Sequence, residues 1–145
     1  MAAAAWRLYA KAKEYIGDGT ITLGTGGFKM ALFEGSSNAS TLTLSTLASV
    51  TVQASGGAYT AGGKYLDPSA GTWTLSGSTV TFDYTSLGIT FTASGSNISA
   101  VQYAVIHNSG GKLLCWSKLS ASAFSVADPN TLTVLPAITG VFTLT

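Results

Sequence analysis

Two residues with reactive side chains, His107 and Cys115, are spaced so that a β-hairpin would bring them near each other. They are the only histidine and the only cysteine in the sequence. A triad of nucleophile, histidine and acid would therefore need His107. The sequences around His107 and Cys115 are typical of ordinary β-strands. We expect Cys115 to be a small buried hydrophobic residue and His107 to end a strand at the surface.

The acidic residues do not form a close pair that could act as general acid and base, and nothing in their spacing favours a glycosidase. One histidine cannot supply a site of several His ligands. The glycine-rich stretches at 24–27 and 56–63 lack the helix and the Lys-Ser/Thr of a phosphate loop. We predict a protein that is not an enzyme and uses no cofactor or metal. The six carboxylates are Glu14, Asp18, Glu34, Asp67, Asp83 and Asp128.

The composition is poor in charge, with 9% charged and 46% hydrophobic residues. Soluble domains usually carry about a quarter charged residues, so the surface must be neutral and rich in hydroxyl groups. Such a surface suits a subunit of a large assembly. The net charge of +1 argues against a nucleic-acid binder. No apolar run has the length of a signal-peptide core or a membrane span, so we expect a protein made in a cytoplasm.

The segment from Ala3 to Ile16 has the composition of a helix. Gly17 is placed to end that helix in the left-handed conformation. Trp6 and Tyr9 lie between the two faces, and two interpretations stay open: they pack on the chain's own sheet, or an aromatic, basic helix docks on a partner. Apolar and polar residues fall on opposite faces: Leu8, Ala12, Tyr15 and Ile16 against Arg7, Lys11 and Glu14.

The longest strand signal runs from Asn97 to Leu119, where side chains alternate and Ser109-Gly110-Gly111 supplies a turn. We predict a hairpin with both arms largely buried. Upstream, Thr20–Leu23 and Phe28–Glu34 are predicted to form a first hairpin, residues 36–55 are ambiguous, and Ser55–Leu66 is a glycine-rich loop that runs into a strand. Other predicted strands cover Gly71–Leu75, Thr79–Tyr84, Ile89–Ala93, Ala123–Val126, Thr131–Leu135 and Gly140–Thr145.

Short strands separated by turns favour an antiparallel β-sandwich or open barrel with one N-terminal α-helix. Turns are predicted at Asp67-Pro68 and Asp128-Pro129, and a break at Pro136. Alternating threonines around Thr79 and Thr81 predict a solvent-facing hydroxyl surface. One cysteine excludes an intrachain disulfide. We expect residues 1–145 to form one β-sandwich-like domain.

Five segments in this order resemble a widespread family of small virion structural proteins of tailed bacteriophages. They are AAAWRLYAKAKEYIGDGTITL, FKMALF, AYTAGGKYL, ISAVQYAVIHN with LLCWSKL, and GVFTLT. The segment from Gly71 to Ala93 departs from the family pattern. The resemblance implies a non-enzymatic, β-rich protein built into the particle, and it supplies no catalytic residues.

The first functional hypothesis is therefore a capsid decoration or cement protein, a homo-oligomer and by expectation a trimer, that binds the major capsid protein of the virion. Its expected contacts are aromatic and basic residues of the helix, Trp6, Arg7, Tyr9 and Lys13. A second hypothesis is a neck, collar or tail protein such as a fibre-base adaptor. A third is a carbohydrate-binding β-sandwich, in which Trp73, Trp116 or Tyr59 stacks on sugar rings.

Overall fold

The computed structural model describes residues 4–24, 27–66, 71–84, 88–135 and 141–144. The chain is mainly β, its sheets are antiparallel, and one helix lies near the N-terminus, as predicted. A single 3-10 turn covers Leu47–Ser49 in the described part of the chain. The elements are β1 Arg7–Leu8, α1 Ala10–Gly17, β2 Phe28–Glu34, β3 Lys64–Tyr65, β4 Gly71–Ser76, β5 Thr79–Tyr84, β6 Ile89–Thr92, β7 Ile98–Asn108, β8 Leu113–Lys118, β9 Phe124–Val126, β10 Thr131–Val134 and β11 Phe142–Leu144.

The main sheet has the order β1-β8-β7-β2-β3, and β9 also pairs with β7. Strand β7 pairs with β2 from Asn108 to Val101 on one edge, and with β8 and then β9 on the other. Its side chains are buried on both faces, as at Val105 and Ile106. The prediction of a largely buried hairpin is confirmed.

The turn of the β7–β8 hairpin is built by Asn108 and Gly111. The Asn108 amide donates to the Lys112 carbonyl at 3.0 Å, and the Lys112 amide donates to Asn108 Oδ1 at 2.8 Å. Gly111 has a φ of 77°, which glycine adopts at little cost. The predicted turn residues therefore close the hairpin.

A second, three-stranded sheet has the order β11-β5-β4. Trp73, Phe82 and Phe142 are aligned across it and share one face. The Phe82 ring meets Phe28 of the main sheet edge to face, with centroids 5.6 Å apart. The opposite face carries exposed Thr72 and Thr74 of β4 beside Thr79 and Thr81 of β5, which are half-buried, so the predicted hydroxyl surface is only partly open to solvent at those two residues. Strands β6 and β10 form a separate two-stranded sheet.

The predicted helix from Ala3 to Ile16 is wrong in its first half, because α1 begins at Ala10. Arg7 and Leu8 are extended and pair with Trp116 and Cys115 at the free edge of β8. Main-chain pairing and burial of the aromatic side chains outweigh the helix propensity of the alanines, a difference of only tenths of a kcal/mol per residue.

The helix also ends differently from the prediction. Gly17 is its last residue, Asp18 caps it in the right-handed conformation, and Gly19 is the left-handed residue with a φ of 79°. The Asp18 carboxylate accepts a hydrogen bond from the Thr20 amide at 2.8 Å, which forms an Asx turn.

The predicted first hairpin is absent from the described residues. Residues 20–23 form bends and a turn instead of a strand, and the Ile21 amide donates to the Tyr15 carbonyl at 2.8 Å. Strand β2 has no edge left for this segment, because β7 occupies one side and β3 together with residues 52–54 the other.

The remaining strand predictions hold within a residue or two, and the predicted ends of the last strand, Gly140 and Thr145, fall outside the described residues. The turn at Asp128-Pro129 is present. The predictions at Asp67-Pro68 and Pro136 fall outside the described residues.

Two adjacent glycines offer a matched test of how closely the glycine-rich loop approaches β2. Gly62 and Gly63 have φ values of 84° and 78°, but only at Gly63 would a Cβ collide with backbone, that of Met30 and Ala31. We expect Gly62→Ala to lower the free energy of unfolding by about 1 kcal/mol, the cost of the left-handed conformation. Gly63→Ala should cost about 3 kcal/mol or more, because the backbones must also separate. Urea denaturation of both variants measures the difference, and equal losses would contradict the close approach.

Candidate partner interface

The hairpin and the N-terminal strand together form a groove on the main sheet, with a volume of about 390 Å³. We call it the basic-aromatic groove. Strand β1 places Arg7 opposite Trp116, and the hairpin places Tyr103 opposite Lys118. Since paired residues and residues two apart share a face, these four side chains lie together. The lining residues are Ala4, Ala5, Arg7, Ser40, Tyr103, Trp116 and Lys118.

The aromatic side chains of the groove hold the arginine in place. Arg7 Cζ lies 5.8 Å from the centroid of the Trp116 ring, within cation–π range. The Tyr103 ring packs edge to face on the same indole, with centroids 6.1 Å apart. Trp116 is 9% exposed, so the indole serves as a support and not as an open platform.

The charges of the groove have one sign. Arg7 and Lys118 are exposed, and no carboxylate is found among the described residues that line the groove. Within the described part of the chain, the ion pair found is Lys11 with Glu14, at 2.6 Å on α1. Arg7 and Lys118 are thus cations without a described counter-charge.

The structure separates the four predicted contact residues into two pairs. Trp6 is 7% exposed and Tyr9 is fully buried in the chain's own core, where the Tyr9 hydroxyl donates to the Ala39 carbonyl at 2.6 Å. The first of the two interpretations, that these aromatic residues pack on the chain's own sheet, is therefore correct for Trp6 and Tyr9. Neither side chain is exposed enough to serve as a main contact with a partner. Arg7 and Lys13 are exposed, and their contact with a partner stays a prediction.

The alternation of an extended segment separates Trp6 from Arg7. Along residues 6–8, Trp6 and Leu8 point to one side and Arg7 to the other, which a helix would not produce. Lys13 lies on α1 and does not line the groove.

A second exposed surface is the outer edge of β4, which we call the β4 edge. Trp73 is 39% and Leu75 is 67% exposed, and residues 72–76 are all exposed. Among the described residues, backbone hydrogen bonds to β4 come from β5 alone. Trp73 also borders an apolar groove of about 320 Å³ with Ile16, Ile21 and Leu23.

The predicted burial is correct for one of the two reactive residues, Cys115, and wrong for the other, His107. Cys115 is a fully buried strand residue, as predicted, and burial raises the pKa of its thiol well above the usual value. The prediction of a surface position for His107 is wrong, because it is only 3% exposed. The glycine-rich loop covers it: Nε2 lies 3.0 Å from the Gly62 carbonyl oxygen, and Nδ1 lies 2.7 Å from that of Asn108.

Within the described part of the chain, no three His, Cys, Asp or Glu side chains are grouped as metal ligands would be. In the same residues, no helix combines the length and the apolar character needed to cross a membrane.

Comparison with known proteins gives no relative: no family model, no curated protein and no solved structure matches this chain.

Sequence reasoning missed Tyr103, Trp116 and Lys118 as members of one site. The sequence did contain a pattern that could have grouped them. Trp116 and Lys118 are two residues apart in one arm of the hairpin, and Tyr103 pairs with Lys118 from the other arm. The contribution of Arg7 was hidden, because the helix prediction placed it far from the hairpin.

Tyr9→Phe tests the structural role of Tyr9. It removes the hydroxyl and leaves the Ala39 carbonyl without that donor, so we expect a loss of about 1 kcal/mol in the free energy of unfolding. Arg7→Ala, at an exposed position in the same segment, should change it by less than about 0.5 kcal/mol. Urea denaturation is the measurement, and equal losses would contradict a buried structural role for Tyr9 beside an exposed Arg7.

The stability of the protein should begin to fall as the pH rises past about 8.5, the ordinary pKa of a cysteine, and should fall more steeply past about 10, that of a tyrosine. Burial and then the nearby Cys115 raise the pKa of Tyr9, and burial raises that of Tyr59. A raised pKa means that the folded state holds its proton longer than the unfolded state, so the contribution of the two tyrosines is complete below about pH 10 and is lost above it. Burial also raises the pKa of the Cys115 thiol, so its contribution is already lost above about pH 8.5 in the wild type and in both variants. Tyr9→Phe should show a shallower loss between about pH 9 and 11 than the wild type. Tyr65→Phe, at a residue that is 63% exposed, should match the wild type.

Proposed function

We propose that this protein is a non-enzymatic structural component of a tailed-phage virion, in the first place a capsid decoration or cement protein on the outer head shell. The observation that carries the proposal is the β4 edge, an uncharged strand edge that presents Trp73 and Leu75 to solvent. The low charge of the chain and the family resemblance support it.

Within the described residues, the β4 edge lacks the features that keep strand edges from pairing with other chains. Proteins usually protect such an edge with charged residues, with proline or with a covering segment. The sequence of β4 is GTWTLS, which contains neither charge nor proline. Large apolar side chains at an open edge are typical of a surface that another subunit covers.

The residue order of β4 also fits contact between two copies. If two β4 strands pair antiparallel with Thr74 facing its counterpart, Trp73 of each copy lies opposite Leu75 of the other. Apolar residues then meet on one face, hydroxyl groups meet on the other, and no like charges approach. This contact is two-fold. The trimer expected from the sequence would instead require β4 to pair with a different edge of its neighbour.

The two alternative functions differ in support. A neck, collar or tail protein would share every feature above, and copy number distinguishes it from a decoration protein. Carbohydrate binding has less support, because the Trp116 ring is nearly enclosed and the Tyr59 hydroxyl already hydrogen-bonds to the Leu32 amide at 2.8 Å. Of the three predicted sugar contacts, Trp73 keeps an exposed ring, and the residues beside it on β4 are threonines.

The copy number in purified particles tests the proposal. We expect quantitative mass spectrometry to find this protein at a ratio near one to one with the major capsid protein, or at one oligomer per local symmetry axis. A ratio of a few per hundred would assign it to the neck or tail. Absence from the particles would refute the virion function.

Thr74→Lys tests the β4 edge. In the two-fold pairing it places two lysines opposite each other, so we expect the dimer dissociation constant to rise at least about tenfold. Thr43→Lys adds the same charge at an exposed loop position and should leave assembly unchanged. Light scattering during size-exclusion chromatography gives the mass. A monomeric wild type, or full assembly of Thr74→Lys, would contradict the pairing.

A further inference from the structure

We propose that the basic-aromatic groove binds an extended, carboxylate-bearing segment of a partner protein. Under the proposed function that partner is the shell protein, and this identification rests on the proposed function. The chemistry of the groove does not depend on it, since it follows from Arg7, Lys118, Tyr103 and Trp116.

The groove offers positive charge and hydrogen-bond donors to an incoming group. Arg7 lies over the Trp116 ring, and guanidinium groups held in this way can still direct their N–H groups at a carboxylate in a bidentate contact. Lys118 adds an exposed ammonium group from the neighbouring strand. Because the described lining contains no carboxylate, the charges complement an acidic ligand and repel a basic one.

The groove is also prepared for binding before a ligand arrives. Trp116 is enclosed, Tyr103 packs on its ring, and Arg7 lies on a strand paired with β8. A cation already held in position loses little side-chain entropy on binding. A second cation–aromatic pair on the same sheet, Lys29 over Tyr65 with Nζ 4.4 Å from the ring centroid, lies outside the groove. It provides a matched control.

A protein segment fits the groove better than nucleic acid or sugar does. Nucleic acid is bound by a track of cations that follows many phosphates, whereas the described lining of this groove has two cations in a chain of net charge +1. A sugar ring needs an open aromatic face, and the Trp116 ring is only 9% exposed. Two cations beside an enclosed tryptophan and a half-buried tyrosine match one or two acidic side chains on an extended chain.

The first test uses the isolated protein and two short peptides whose ends are blocked by acetyl and amide groups. Titration with blocked tetraglutamate, followed by the indole N–H signal of Trp116 in two-dimensional NMR, should shift that signal, and the shift should weaken with added salt. Blocked tetraglutamine should have no effect. No response to the acidic peptide, an equal response to the neutral one, or an equal response to an oligothymidylate would overturn the proposal.

Variants then locate the binding site. Arg7→Gln and Lys118→Gln should each weaken binding of the blocked tetraglutamate at least about fivefold, and the double variant should abolish it. Lys29→Gln removes a cation of the control pair and should bind as the wild type does. Unchanged NMR dispersion confirms that each variant is folded. Wild-type affinity in the double variant would refute the assignment to this groove.

Particle occupancy separates this inference from the proposed function. If the wild type is abundant in particles and the double variant is missing from them, the virion function and the binding of the groove to the shell are both supported. If the double variant keeps full occupancy, the groove does not bind the shell while the virion function stands. If the wild type itself is absent from particles, the proposed function fails, and the peptide titration alone decides the chemistry of the groove.

Discussion

Strand β7 is hydrogen-bonded on both edges and covered on both faces, and most other elements depend on that constraint. A strand enclosed in this way must satisfy all its main-chain groups with neighbours, because water cannot reach them. Strand β2 supplies one edge and β8 followed by β9 the other. The Gln102 side chain amide donates to the carbonyls of Ser120 and Ala121, where the chain passes from β8 to β9. The segments that face the enclosed strand therefore have little freedom to rearrange.

The prediction of the fold succeeded where local pattern and tertiary environment agree. The arms of the central hairpin, the turn at Ser109–Gly111 and the strands β4, β5, β6, β9 and β10 all carry alternation or turn residues that act over a few positions. Cys115 was predicted correctly for the same reason, since a small apolar residue inside an apolar arm has one favourable environment.

The prediction failed where a distant partner decides the structure. Arg7 and Leu8 have helical neighbours, yet they form a strand because β8 has a free edge to pair with. Thr20–Leu23 alternates as a strand does, but β2 has no edge to offer it. His107 is buried by the glycine-rich loop, whose Gly62 lies 45 residues earlier in the chain. The candidate groove was missed because it joins residues from three strands, and the position of one of them depended on the incorrect helix.

The pairing of β1 with β8 has a consequence for biosynthesis. The Ser117 hydroxyl donates to the Ala4 carbonyl, a contact between residues 113 positions apart, and Arg7 gains its aromatic support from Trp116. While the ribosome is still making the middle of the chain, the first strand has no edge on which to settle. It stays unpaired until the last arm of the hairpin has left the exit tunnel, since contacts between distant residues form late. A prematurely terminated product that stops before β8 would lack the surface formed by these two strands.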